Sequence, residues 1–374
     1  MDFEPFIAGV RATGFPFENF VAEKLREHKW QIISNRYYVD DDENKPREID
    51  ILAYKASTLP DFDLRTAVII SCKKSEAAHW AFLTRAANHN DPNSNWQPFH
   101  YYTDHKPLAY QLSRDTWEEM YHSSVRKLGV KETMTVPDHE VFAMQELLTE
   151  PKKLGVSRGD ASIFASVQST IKALLYEKSA RGNKRRNKPR VYQFNSVCLT
   201  DGKFIKLHFD GEEIKGDEID SMSHIARYIA KREDVSARVC FSTKDNLKEL
   251  LDDLDRLHRA NVNVMRETNA APYDGVLEDY ARRVVLIDDF RNKLHLAAVR
   301  VQGNLGSSYY KALRKANIWS RNDSNTFTIG VPTDDEPLDL EKLNQKPYLD
   351  AAKTAIKDVY RSEVECVFDE DFPF

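Results

Sequence analysis

Between residues 17 and 29 the apolar positions fall at helical spacing. Phe17, Phe20, Val21 and Leu25 make one stripe, which predicts an amphipathic helix with that stripe turned to a core. Glu18 stands at the edge of the stripe, whereas Glu23 and Glu27 lie about 140° and 180° round the helix from it. Residues 31–39 alternate as a strand does, and Asp40-Asp41-Asp42-Glu43-Asn44 reads as the turn behind it. In Glu48-Ile49-Asp50-Ile51-Leu52-Ala53, alternation puts Ile49 and Ile51 on one face and Glu48, Asp50 and Leu52 on the other. A carboxylate among apolar neighbours is costly without a partner, so Asp50 needs one. The next run, Ala67-Val68-Ile69-Ile70-Ser71-Cys72-Lys73, stays apolar until its end, the pattern of a central strand that opens into a site.

Beyond Lys74 the pattern loosens. Residues 88–98 are rich in turn formers and predict a loop. A helical pattern covers 108–126, with Leu112, Trp117, Met120 and Tyr121 inward, and a short helix is predicted at 140–148. His89, His100 and His105 with Trp96, Tyr101 and Tyr102 either rim a nucleic-acid groove or, in the more ordinary role, pack and cap this insertion. Helical spacing resumes after Gly159 through Ile163, Phe164, Val167, Ile171 and Leu174, giving a helix laid across the sheet, with Gln168 and Lys172 one turn apart on it, either facing the site or, in the more ordinary role, lying on the surface.

Residues 181–190 then carry six cations, with no apolar residue to bury. Strands at 191–199 and 204–209 are joined through Asp201-Gly202, a hairpin signal. A helix is predicted at 218–230, a buried strand at 237–242 and a helix at 246–259. Residues 268–275 read as a linker, and helices at 277–289, 307–316 and 348–360 lead to the acidic Asp369-Glu370-Asp371. The alternation predicts an α/β class, a mixed β-sheet flanked by helices. The expected domains are 1–265, with a helical and loop insertion at about 76–158, and a mainly helical region at 266–374.

Two acids and a lysine delivered by successive elements of one sheet are the parts needed to hold a divalent metal beside a phosphodiester. On Gly14-Phe15-Pro16-Phe17-Glu18, Arg47-Glu48-Ile49-Asp50-Ile51-Leu52 and Ile69-Ile70-Ser71-Cys72-Lys73-Lys74-Ser75, the chain resembles the PD-(D/E)XK, or restriction-endonuclease-like, nuclease superfamily. The resemblance in element order extends from about residue 14 to about residue 260. It implies a restriction-endonuclease-like fold, Glu18 and Asp50 as ligands of Mg²⁺ or Mn²⁺, and Lys73 as the group that orients water or phosphate. It also implies hydrolysis of DNA, in restriction or in defence against foreign DNA. Ser71 stands where the family most often has an acid, and a hydroxyl is a poor ligand for a hard cation. Neither Glu76 nor Asp91 replaces that acid convincingly. In the nuclease reading Ser71 would join Glu18, Asp50 and Lys73 at the catalytic site with at most a water-mediated or backbone contact, and a nucleic-acid-binding or assembly subunit that has lost cleavage is the alternative.

Net charge is −5, so any nucleic-acid surface must be local. Lys74, Lys184, Arg185, Arg186, Lys188 and Arg190 are the candidate phosphate contacts. The absence of a GxxxxGK[ST] motif means that ATP hydrolysis would come from a partner. The partners expected are DNA rather than RNA, with a second copy of the chain or an ATPase or helicase subunit. Cys72, Cys198, Cys240 and Cys366 are far apart with no CxxC spacing, which argues against zinc and for a reduced, cytoplasmic setting. The first residues lack a charged-then-apolar signal pattern, and no apolar run approaches membrane length.

Overall fold

The computed structural model describes every residue except 41–43, 76, 182–187, 231, 302–304, 321–325, 334–337 and 372–374. The chain is mixed α/β and separates into two compact units: Met1–His105 with Asp115–Met265, and Lys106–Arg114 with Arg266–Phe374.

The first unit begins with helices α1 (Glu4–Arg11) and α2 (Phe15–Glu27) and strands β1 (Gln31–Val39), β2 (Pro46–Thr58), β3 (Asp63–Lys73), β4 (Ala78–Ala86) and β5 (His100–Thr103). After α3 (Lys106–Leu112), which belongs to the second unit, come α4 (Trp117–Lys127), β6 (His139–Leu148), β7 (Ser157–Gly159) and α5 (Ala161–Ser179). Strands β8 (Arg190–Thr200), β9 (Phe204–Asp210), β10 (Glu213–Ile219), β11 (Ser221–Ala230) and β12 (Glu233–Thr243) follow, and then α6 (Leu247–Ala270).

The first sheet runs β1-β2-β3-β8-β12-β11, with β5 beside β8. Strands β1, β2 and β3 form an antiparallel meander, and β8 lies parallel to β3, from Asp63 opposite Arg190 to Lys73 opposite Thr200. Alternation along β3 sorts its two faces. Thr66 and its neighbour Gln193 bond His258 and Asn261 of α6, while Ala67, Ile69 and Phe194 cluster with Ala173 and Leu174 of α5. The second sheet runs β10-β9-β4-β6-β7. It shares with α5, β11 and β12 a core centred on Trp80, Phe82, Phe204 and Phe241, whose rings pack at centroid separations of 4.9 to 6.4 Å.

Several expected elements are corrected. Residues 140–148 are strand β6, not a helix. Their helix-forming side chains are outweighed by nine-position pairing with β4, an example of tertiary context overriding propensity. Residues 218–230 fall at the end of β10 and in β11. Met222, Ala226 and Ala230 are the buried positions of β11, and a spacing of four satisfies a period of 2 as well as one of 3.6. The 76–158 insertion supplies β4, β6 and β7 to a sheet and is not mainly helical. The pattern at 108–126 breaks into α3 and α4, and the expected linker at 268–275 begins with the end of α6.

Asp201-Gly202 is not a hairpin, because it carries the chain from β8 in the first sheet to β9 in the second. Asp201 Oδ1 accepts the Ser75 N–H at 2.7 Å, and a Cβ on Gly202 would lie 2.7 Å from the Ser75 carbonyl oxygen. Gly202→Ala must therefore push two backbones apart. It is expected to cost about 1–3 kcal/mol in denaturant unfolding, and an unchanged midpoint would show that the crossing has room.

The second unit contains, besides α3, the helices α7 (Tyr280–Val285), α8 (Ile287–Val299), α9 (Ser307–Leu313), α10 (Leu340–Leu343) and α11 (Lys346–Tyr360). It also has a sheet of β13 (Asn317–Ser320), β14 (Thr326–Val331) and β15 (Glu365–Glu370). The mainly helical expectation missed that sheet, and the acidic stretch at 369–371 begins inside β15. Its own core holds Phe290, Leu294, Leu313, Ile329, Ile356 and Tyr360.

Candidate active site at the end of the first sheet

Strand pairing between β2 and β3 begins at Ile51 opposite Ile70, so the two strands part where Asp50 and Ser71 would otherwise face each other. The Asp50 carboxylate fills the gap. Its Oδ2 accepts the Cys72 N–H at 2.8 Å and the Ser71 hydroxyl at 3.3 Å, which answers the need of a carboxylate set among apolar neighbours. Ser71 is buried, and its Oγ also bonds Ser166 of α5 at 2.9 Å. Register and side-chain bonding thus join β2, β3 and α5 at one point.

Glu18 reaches the same sheet end from α2. That helix buries Phe17, Val21, Ala22 and Leu25, leaves Glu18 half-buried at the edge of the stripe, and exposes Glu23 and Glu27, which pair with Arg26 and Lys24. Burial raises the Glu18 carboxyl above its ordinary value, Asp50 and Glu48 raise it further, and Lys73 lowers it. The Cys72 thiol is pushed well up, by burial first and then by the charges of Asp50 and Glu18, with Lys73 opposing. Glu18 thus lies within electrostatic reach of both Asp50 and Lys73. Lys73 is half-buried at the last position of β3, and among the described residues no carboxylate closes an ion pair on it.

Glu48, two positions before Asp50 on the same strand face, is the acid that sequence reasoning left out of the site. Its Oε1 accepts from Asn35 at 2.9 Å, the Tyr37 hydroxyl bonds it, and its charge reaches Glu18. The period-2 pattern that singled out Asp50 was already the signal for it.

The predicted phosphate contacts divide. Lys74 is at this sheet end, with its ammonium on the Arg11 carbonyl oxygen at 2.9 Å. Lys184, Arg185 and Arg186 lie outside the described residues. Lys188 bonds the Leu59 carbonyl, and the Arg190 N–H bonds Asp104. Arg190 pairs with Asp63 and Thr200 with Lys73, so ten strand steps, about 33 Å at 3.3 Å per residue, separate Arg190 from the Lys73 end. Lys188 and Arg190 therefore stand at the far end of β8 from Lys73. Lys244, unremarked in the sequence, follows β12 at the near end. Its ammonium sits 4.9 Å from the ring centroid of Phe20, two residues beyond Glu18. Lys172 is buried on Asp40 at 2.6 Å and does not face the site.

Among the described residues no three His, Cys, Asp or Glu side chains gather closely enough to enclose a metal. The donor set still suits a hard cation, because among the described residues one oxygen of Asp50 takes no hydrogen bond and Glu18 is held near like charge. All four cysteines are buried free thiols. Among the described residues no helix is long and apolar enough to cross a membrane. Comparison with protein-family models, with curated proteins and with solved structures finds no match to this chain.

Glu18 supplies a pH test. An acid whose pKa is raised by folding costs stability wherever it is ionised. The cost is complete above the raised value, declines as pH falls through it, and is gone below the ordinary 4.5. Glu18→Gln is expected to raise the melting temperature at pH 7 without metal and to lose that advantage in acid. A variant less stable than wild type at pH 7 would contradict this.

Proposed function

We propose that the first unit is a metal-dependent phosphodiester hydrolase of the PD-(D/E)XK, restriction-endonuclease-like kind, acting on DNA in restriction or defence against foreign DNA. The observation that carries the reading is the parting of β2 and β3 at Asp50, beside the end of β3 that Lys73 closes and within electrostatic reach of Glu18. The element order supports it: a helix bearing the acid, an antiparallel meander bearing Asp50 and Lys73, a helix across the sheet and a parallel strand.

Glu18 and the second oxygen of Asp50 would hold Mg²⁺ or Mn²⁺, which when bound neutralises charge on a phosphate. The chain's own groups do the rest. The Cys72 N–H and the Ser71 hydroxyl fix the Asp50 carboxylate. The Lys73 ammonium, which forms no ion pair among the described residues, donates to a non-bridging phosphate oxygen or positions the attacking water. Lys74 and Lys244 lie where flanking phosphates would run.

Ser71 favours a second reading, a nucleic-acid-binding or assembly subunit without cleavage. Its hydroxyl is spent on Asp50 and Ser166 and adds no charge. Incubating plasmid DNA with the protein, with and without Mn²⁺, separates the two: metal-dependent nicking supports the first, and DNA binding without any nicking supports the second. For either reading, Lys244→Ala is expected to reduce the salt slope of DNA binding by about 1, and Lys188→Ala to leave it unchanged. The reverse result would move the binding surface to the other end of the sheet.

A further inference from the structure

A cavity of about 420 Å³ lies within the first unit, away from Glu18, Asp50 and Lys73, between β4, β6, α5 and β11. That volume is in the range of small-ligand pockets, roughly 300–1,000 Å³. From its chemistry we infer that it binds a neutral planar heterocycle with a hydrogen-bonding edge, a nucleobase, presented either by a free nucleoside or by a nucleotide turned out of a nucleic acid.

Three observations carry this. The first is His224, on β11. It is enclosed deeply enough for burial to push its imidazole down to about 4, so it is neutral at pH 7. Among the described residues nothing hydrogen-bonds either ring nitrogen, yet the side chain keeps accessible surface, because it lines the cavity. A neutral imidazole offers one donor and one acceptor, and since neither ring nitrogen is sealed away from the cavity, both can be turned to an occupant. The second is a polar pair beside it. Gln168 Nε2 donates to the Tyr228 hydroxyl at 3.2 Å, and among the described residues the phenolic hydrogen and the amide oxygen are left for an occupant. Donors and acceptors in this mixture suit the edge of a base.

The third is the balance of walls and charge. Phe142 and Phe164 line the cavity while remaining 43% and 57% exposed, and Met144, Val167 and Ile171 continue the apolar surface. Exposed aromatic faces are stacking platforms. The lining charges cancel, Arg85 and Arg227 against Glu140 and Asp160, with Arg85 3.1 Å from Glu140. A net anion therefore gains no field there, and a neutral ring does not need one. A base already lifted from its stack would meet the same groups.

The test is made without divalent metal, in EDTA, so that it is independent of any cleavage. The four common nucleosides are titrated by calorimetry, and a duplex carrying 2-aminopurine opposite a mismatch is followed by fluorescence. At least one nucleoside, or the 2-aminopurine duplex, is expected to bind with a dissociation constant below about 1 mM. His224→Leu and Phe164→Ala are each expected to weaken binding about tenfold or more. Nucleoside binding alone assigns a free ligand, and a 2-aminopurine signal lost in both variants assigns an extruded base. If His224→Leu does not fold, the exposed Phe164→Ala decides alone. Absence of binding by both probes, or binding unchanged in the variants, would overturn the proposal.

Discussion

Asp50→Asn and Lys73→Met are each expected to lower Mn²⁺-dependent nicking of plasmid DNA by about 10²–10³-fold, the usual loss when one preorganised charge at a reacting centre is removed. Both substitutions keep the size of the side chain. The amide oxygen that Asp50→Asn introduces can still accept the Cys72 N–H that Asp50 Oδ2 accepts at 2.8 Å, so the parted strands stay as they are. Lys73 is half-buried and forms no ion pair among the described residues. Its loss should therefore change the rate far more than the melting temperature. Variants that nick as fast as wild type would remove this sheet end from the chemistry, and variants that unfold would show that the two side chains serve structure.

The largest effect on stability is expected at Trp80→Ala. Trp80 is fully buried, stacks on Phe204 at 5.9 Å between ring centroids, meets Phe241 edge-on at 6.1 Å, and donates its indole N–H to Glu146 at 3.2 Å. Truncation leaves a cavity in the core shared by the second sheet and α5 and also strips a buried carboxylate of a partner. The loss should be at least about 3–5 kcal/mol, the range for a buried aromatic truncated to alanine. Unfolding of the first unit in guanidinium, followed by circular dichroism, measures it, and a loss under about 1 kcal/mol would mean that the core collapses around the gap.

Parts of this site were legible because they are local patterns. The stripe of Phe17, Val21 and Leu25 set Glu18 at the helix edge, and period 2 in β2 separated Asp50 from Ile49 and Ile51. What escaped depends on pairing between distant residues. The basic stretch after Arg181 looked like a partner for the site, but only the β3–β8 register shows that Lys188 and Arg190 are at the opposite end of the strand. Lys172 looked like a polar position on a helix until Asp40, 132 residues away, appeared 2.6 Å from it. Strand β11 was hidden by a spacing of four that two periods share, and Lys244 became relevant only when β12 lay parallel to β8. Glu48 was passed over although it shares the Asp50 face.

The central claim is that Glu18 and Asp50 together hold a hard divalent cation beside Lys73. Titration of the metal-free protein with Mn²⁺, followed by electron paramagnetic resonance of the free ion, tests it most directly. Wild type should take up one Mn²⁺ per chain, Glu18→Gln and Asp50→Asn should each weaken that binding about tenfold or more, and Lys73→Met should retain it. Wild type that takes up no Mn²⁺, or both acid variants binding it as tightly as wild type, would contradict the account.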